Sequence, residues 1–506
     1  MSVKTLKYCV NNEWKDSVSG KYTPVMNPSL GVEIARAPVC TKEEVESAVL
    51  AARAAFPDWS GRPVAARTQI IFKFRELVNQ RFDELATLVA TEMGKNFEES
   101  KGDIVKVIEA CELSLGAPLE LQGYALMEAT RGHDINLYRE PVGVFVGVAP
   151  YNFPAMIPFG WFTPVCITSG NCIVLKAASM VPQSAMRLLE ILIEAGLPKG
   201  VVNLVTCSRE ELSALLVHPQ VNGISFVGSE SVGVKVYAAA AAAGKRVQAL
   251  VEAKNHAMVL EDAPLEWTAN RIINSSFGCA GQRCMALPVV VVQESVADEL
   301  VKIVKKLAEK LVVGAAYDPA TQLGPLVSSG QKESVEKWIA KGLEEGAELV
   351  LDGRGVKPKG CENGYFVGPT ILDKVQPGMT VGDVEIFGPV LCIKRCRDFE
   401  HGLSIMNANP FANGSSIFTA SGHYGREFSR RTHGGMVGIN VGIPVPLGFF
   451  PFSGHKRSFY GDLHCLGRDG LRFYTQVKTV TTKWISPEES QEARVSTWEG
   501  TINRQL

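Results

Sequence analysis

The residue types and spacings that could do chemistry gather at three places. Cys284 lies in FGCAGQRCMA (277–286), after a helical run and just before the strand-like stretch 287–292, with Arg283 beside it and Gly281 loosening the turn. A cationic neighbour at a helix end lowers a thiol pKa from about 8.5 toward neutrality, and the thiolate is the nucleophile. The other reading, an inert buried thiol, holds for most free cysteines. A second place is ISFVGSESVG (224–233), where a strand runs into Gly228-Ser229 and opens a helix. Free amides at a helix start suit a phosphate, and Gly233 permits close packing; plain strand–turn–helix punctuation is the alternative. The third is CIVLK (172–176), which ends on Lys176, an ammonium at the carboxyl end of a strand where parallel sheets bind ligands, or else a solvated strand end.

Other chemistries lack their residues. The chain has no G-x-G-x-x-G, no G-x-x-x-x-G-K-[ST] and no G-x-S-x-G, so the usual dinucleotide and phosphate fingerprints and the hydrolase elbow are missing. Its 8 histidines form no H-E-x-x-H, and Cys279/Cys284 and Cys392/Cys396 have no partners at zinc spacing; no metal is expected. Lys plus Arg number 52 and Asp plus Glu 53, for a net charge of −1, which gives no field to hold nucleic acid or an anionic membrane. No apolar run approaches the roughly 18 residues of a spanning helix. With no secretory or transit pattern visible and 12 scattered cysteines, reduced thiols and a cytoplasmic location are expected, the mitochondrial matrix staying open.

The elements that must position these residues follow from periodicity. At 506 residues with 46% hydrophobic and 21% charged side chains, the composition is that of a globular protein of roughly two to four domains. Residues 42–130 repeat apolar positions at helical spacing. From 141 onward, short apolar runs (143–149, 172–176, 201–205, 223–227, 257–260) alternate with helical ones (182–195, 210–216, 231–243), and a second alternation runs from 267 to 440. Such βαβα order predicts an α/β fold with two doubly wound, mainly parallel sheets. Two alternating stretches, 134–140 and 474–484, fit neither core and are expected to pair with each other or with another subunit.

Read together, APYNFP (149–154), IVLKAAS (173–179), FVGSESVG (226–233), GQRCMA (281–286), EIFGPV (385–390) and INVGIPVPLGFFPFSGHKRSFYGD near the end resemble, in order and spacing, the aldehyde dehydrogenase superfamily. AKNHAMV (253–259) and FYTQVKTVT look most like its CoA-acylating branch, typified by methylmalonate-semialdehyde dehydrogenase. The resemblance implies a dinucleotide-binding domain from 1–121 and 141–252, a catalytic domain at 253–455, and oligomerisation strands at 122–140 and 470–486 of a homodimer or homotetramer. It implies Cys284 as nucleophile and Asn152 as oxyanion donor. NAD would lie along Ala149 and Tyr151, with Lys176 and Ser179 at the adenosine ribose, Gly228, Ser229 and Gly233 at the pyrophosphate turn, and Glu385 and Phe387 at the nicotinamide end. A small aldehyde bearing a carboxylate, such as methylmalonate or malonate semialdehyde of valine breakdown, would sit between Arg283 and Lys106.

Three positions depart from the pattern. Leu250 stands where hydrolytic members carry a Glu that activates water, which favours CoA as acyl acceptor, but Glu252 replaces the branch's usual Gly and could restore a base; release of the free acid is the alternative outcome. Ser179 replaces a Glu that would exclude a 2′-phosphate, weakening the NAD preference. Lys106 replaces an Arg, exchanging a bidentate fork for a compact, hydrated point charge.

Overall fold

Residues 3–488 and Ser490 are described by the structure, a computed structural model; positions 1 and 2 of the first expected domain segment lie outside it. Two large sheets organise the chain. The first has, in spatial order, Phe459–Gly461, Arg246–Leu250, Gly223–Val227, Val144–Val148, Cys172–Lys176, Val202–Val205, Tyr8–Val10 and Glu13–Lys15. Its central five strands are parallel and its edge pairings antiparallel. VFVGV is buried throughout and CIVLK as far as its terminal lysine, the burial expected of apolar runs covered by helices on both faces. The second sheet runs Glu348–Leu351, Thr370–Asp373, Val390–Cys396, Val289–Gln293, His256–Val259, Gly414–Phe418, Met436–Ile439, and only its first strand is antiparallel. The doubly wound α/β architecture expected from the alternation is the one observed.

Strand order in the first sheet creates a crevice. Val144–Val148, Cys172–Lys176 and Val202–Val205 step one way across the sheet, and Gly223–Val227 and Arg246–Leu250 step the other way. The reversal falls between Val144–Val148 and Gly223–Val227, where the loops leaving the carboxyl ends diverge.

Each sheet has its own apolar core. Met285 belongs to the first core and the half-buried Cys284 packs against it, although both precede a strand of the second sheet. The segment carrying Cys284 therefore reaches across from the second sheet to the first core.

The expected helical stretch 42–130 needs correction at its end. Helices occupy Lys42–Gly61, Val64–Gln80, Phe82–Met93, Phe97–Leu115 and Ala117–Glu120, but Tyr124–Thr130 is a strand. Its Ala, Leu, Met and Glu are good helix formers, and pairing with His133–Pro141 overrides that preference. Gly123 marks the change, because a Cβ there would fall on the Leu137 carbonyl. Thr475–Lys483 pairs antiparallel with His133–Pro141 along its whole length, so the two unassigned stretches pair with each other.

Candidate active site

Cys284 lies on the segment between the helix Leu265–Phe277 and the strand Val289–Gln293. That segment begins with three successive left-handed residues: Cys279 (φ 51°), Ala280 (φ 52°) and Gly281 (φ 71°). The conformation costs an L-residue roughly 1–2 kcal/mol, so its surroundings must hold it. Both carboxylate oxygens of Glu99 accept the Cys279 amide at 2.8 Å. A Cβ at Gly281 would fall on the Gly388 carbonyl, so glycine is required there by space as well as by φ. Asn255 Nδ2 (2.8 Å) and Asn413 Nδ2 (3.3 Å) donate to the Cys284 carbonyl. The Cys284 amide itself has no backbone acceptor among the described residues. Asn152 Nδ2 donates to the Gln282 carbonyl at 3.1 Å, which brings the Asn152 side chain to the segment two residues before the thiol and leaves it one more N–H.

Of the 12 cysteines, Cys284 alone is not buried. Its acidity differs from the sequence expectation. Burial pushes the thiol up to about 12, Glu385 acts in the same direction, and the opposing pull of Arg283 and Lys95 is weaker. Arg283 is adjacent in sequence, but its Nη2 donates to the carbonyls of Asn274 (2.8 Å) and Ser275 (3.1 Å). A guanidinium committed to that wall cannot offset the lost hydration of a thiolate.

On one side of Cys284 opens a cavity of about 330 Å³. Phe153, Trp161, Ile443 and Phe452 make it largely apolar, and both Lys106 and Arg283 line it. Asn96 caps the helix Phe97–Leu115 through the Glu99 amide (2.9 Å), and Glu99, Gly102, Asp103, Lys106, Glu109 and Ala110 recur along its cavity face at three- and four-residue spacing. Lys106 Nζ donates to Glu109 Oε2 at 2.6 Å. Asp103 is held in a fully buried pair with Lys95 (2.8 Å), whose ammonium lies 3.4 Å over the Phe153 ring. Sequence reasoning missed Glu99, Glu109, Phe153 and Trp161; the helical period starting at the Asn96 cap was the available signal for the first two.

The other side of Cys284 faces a smaller cleft lined by Ala253, Arg283, Glu385 and Phe387. Glu385 Oε1 accepts the Ala253 amide at 3.1 Å, and burial, with Glu252 nearby, raises its carboxyl to about 8. Phe387 stands in the left-handed region (φ 57°) and meets Tyr151 edge to face at 5.9 Å. The Ala149 amide donates to the Lys176 carbonyl at 3.1 Å, tying two strand ends together at the crevice. The Lys176 side chain has no hydrogen-bonding or ionic partner among the described residues, and burial lowers its pKa. Ser179 is half-buried three residues on. Gly228 donates to the Leu250 carbonyl at 3.1 Å, and Ser229 is the N-cap residue of the helix Glu230–Ala242 without a side-chain capping bond. A Cβ at Gly233 would overlap Val251, so this glycine does permit the close approach. Glu252 turns to the same helix start: its Oε1 accepts the Glu230 amide at 3.2 Å, and it lines neither cavity beside Cys284.

Nearly the whole chain resembles known proteins of one family. Residues 14–480 match the model of the aldehyde dehydrogenase family. The chain is 45% identical over 480 residues to malonate-semialdehyde dehydrogenase 2 of Geobacillus thermodenitrificans, a match covering 95% of this chain and 99% of that protein. The crystal structure of methylmalonate-semialdehyde dehydrogenase from Oceanimonas doudoroffii superposes with TM-score 0.94 at 38% identity, covering 97% of this chain and 100% of that one. A structure from Sinorhizobium meliloti in complex with NAD gives TM-score 0.94 at 37% identity, covering 96% and 99%. With the Cys284 segment, the Asn152 amide beside it and the crevice all carried on a fold matched along nearly its whole length, the chain belongs to the aldehyde dehydrogenase family.

Proposed function

We propose that this protein oxidises a small semialdehyde, of the malonate or methylmalonate type, with NAD as hydride acceptor and CoA as acyl acceptor. The observation that carries the reading is the half-buried Cys284 at the junction of two spaces: an apolar cavity with Lys106 and Arg283 on its wall, and a cleft lined by Glu385 and Phe387. The names of the relatives support the semialdehyde, and the Sinorhizobium complex supports NAD.

The crevice residues fit a dinucleotide. Lys176 offers an unpartnered ammonium beside the half-buried Ser179, and the first turn of Glu230–Ala242 offers amides that Ser229 does not cap. Tyr151, Glu385 and Phe387 line the way from there to the thiol. Bound there, NAD supplies the hydride acceptor that converts a thiohemiacetal on Cys284 into a thioester.

The chain's own groups do the rest. Cys284 Sγ, once deprotonated, attacks the aldehyde carbon, and the resulting oxyanion takes the free N–H of Asn152 and the Cys284 amide as donors. Leu250 is buried and cannot ionise, and Glu252 is engaged at the Glu230 amide, so neither is poised as a base for water. A CoA thiolate needs less help than water to attack a thioester, which favours acyl transfer over hydrolysis. We also infer a homodimer or homotetramer assembled through the sheet of Tyr124–Thr130, His133–Pro141 and Thr475–Lys483, supported by the exposure of Tyr124, Leu126, Met127 and Val477.

The test is NADH formation from malonate semialdehyde with and without CoA, with the acyl product identified. A burst of NADH, slow turnover without CoA, and acceleration with CoA accompanied by an acyl-CoA are expected. Fast CoA-independent release of free acid, abolished by Glu252→Gln, overturns the acyl transfer.

A further inference from the structure

Of the two cations on the cavity wall, Lys106 is already paired with a carboxylate of the protein, and Arg283 Nη2 is held by backbone carbonyls. Apart from Asp103, which is committed to Lys95, the charged groups on this wall are Glu99, Lys106, Glu109 and Arg283. Lys106 donates to Glu109 at 2.6 Å. Arg283 Nη2 and Glu99 Oε1 flank Gly278 so closely that a Cβ on that glycine would meet both. Lys106 therefore has a carboxylate of the protein bonded to it, Arg283 has Glu99 in its neighbourhood without an ion pair, and the four charges sum to zero. A substrate carboxylate entering here meets no net attraction, and at Lys106 it competes with a carboxylate one helical turn away that is tethered to the same backbone.

Resting on the semialdehyde reading above, we infer that Glu109 is a specificity-determining residue. It occupies Lys106 and so weakens the preference of this enzyme for carboxylated over uncharged aldehydes. The Lys106 and Glu109 side chains are 35% and 32% exposed, so solvent screens the pair and the effect is bounded. The apolar remainder of the cavity, with the Trp161 and Phe452 rings tilted against each other at 4.6 Å, binds the carbon skeleton whether or not a carboxylate is present. The enzyme thus keeps useful activity on short uncharged aldehydes, and removing the Glu109 charge turns the same pocket into a stricter semialdehyde site.

The experiment compares kcat/KM for malonate semialdehyde with kcat/KM for propionaldehyde in the wild type, E109Q, E109D, K106M and R283L. The ratio is expected to rise roughly two- to fivefold in E109Q, chiefly through KM for the semialdehyde, and to stay near wild type in E109D, which keeps the charge. A merely structural role for Glu109 would move both substrates together. If K106M and R283L lower the ratio while E109Q leaves it unchanged or lowers it, the role of Glu109 is overturned and the semialdehyde reading stands. If K106M, R283L and E109Q all leave the ratio unchanged, the cavity does not read a carboxylate and the semialdehyde reading itself falls.

Discussion

In the free protein the Cys284 thiol is protonated at neutral pH, because burial and Glu385 outweigh Arg283 and Lys95. Only the thiolate alkylates, so the rate of iodoacetamide labelling should climb about tenfold per pH unit and keep climbing past pH 9. A plateau near the ordinary thiol value would refute the burial account. Peptide mapping should find Cys284 labelled first, since the other 11 thiols are buried. Asn152→Ala should lower kcat by roughly 10²–10³ through loss of an oxyanion donor, with little change in cofactor affinity measured by fluorescence titration. That Cys284 and Asn152 lie close together was legible from the motifs that carry them. The thiol's acidity was not, because Arg283 is a neighbour along the chain whose Nη2 points to the Asn274 and Ser275 carbonyls.

At the scale of elements, the left-handed run Cys279–Gly281 is what delivers the thiol to the junction between the two cores. Gly281→Ala combines a disfavoured left-handed φ with overlap on the Gly388 carbonyl, and it should cost more than about 2 kcal/mol in denaturant unfolding and abolish turnover. Gly355 is the control: its φ is also positive (+76°), but nothing lies within 4 Å of a Cβ there, so Gly355→Ala should cost only about 1 kcal/mol. Equal costs would show that the Gly388 carbonyl is not the constraint. The central strands were legible because a strand buried on both faces must be continuously apolar. Tyr124–Thr130 was not legible in periodicity, since its helix-forming residues carry no trace of a partner strand supplied by tertiary structure; only the family resemblance, which implies strands at 122–140, pointed to one here. The cavity face of Phe97–Leu115 was half legible: its spacing is in the sequence, but which cavity it lines depends on a segment almost 200 residues away.

For the whole molecule, the exposed apolar side chains of the three-stranded sheet set the expected assembly. Leu126→Glu with Val477→Glu alters two exposed positions and no core, and light scattering should show a fall in molar mass to a smaller species that keeps its circular dichroism. A wild-type chain that is itself monomeric, or an unchanged mass in the double variant, removes this sheet as the interface. The division into two α/β units was visible in the alternation. The way the first unit recruits Phe459–Gly461 and Tyr474 was not, because a three-residue strand and a single side chain are too short to carry a period.

That recruitment has a consequence in time. The second sheet is drawn from one uninterrupted stretch, from His256 to Ile439, whereas the first is closed by Phe459–Gly461 and plugged by Tyr474. The Tyr474 hydroxyl lies 2.9 Å from Ser225 Oγ, its carbonyl takes the Asn171 amide at 2.8 Å, and its ring packs on Phe145. During synthesis, the unit that emerges first must wait for the unit that emerges second. At about 5–20 residues per second the wait is on the order of ten to forty seconds. For that interval the nascent first sheet has an uncovered edge and an unfilled socket, a surface for a chaperone or for another nascent chain, while the later-made domain is already free to fold.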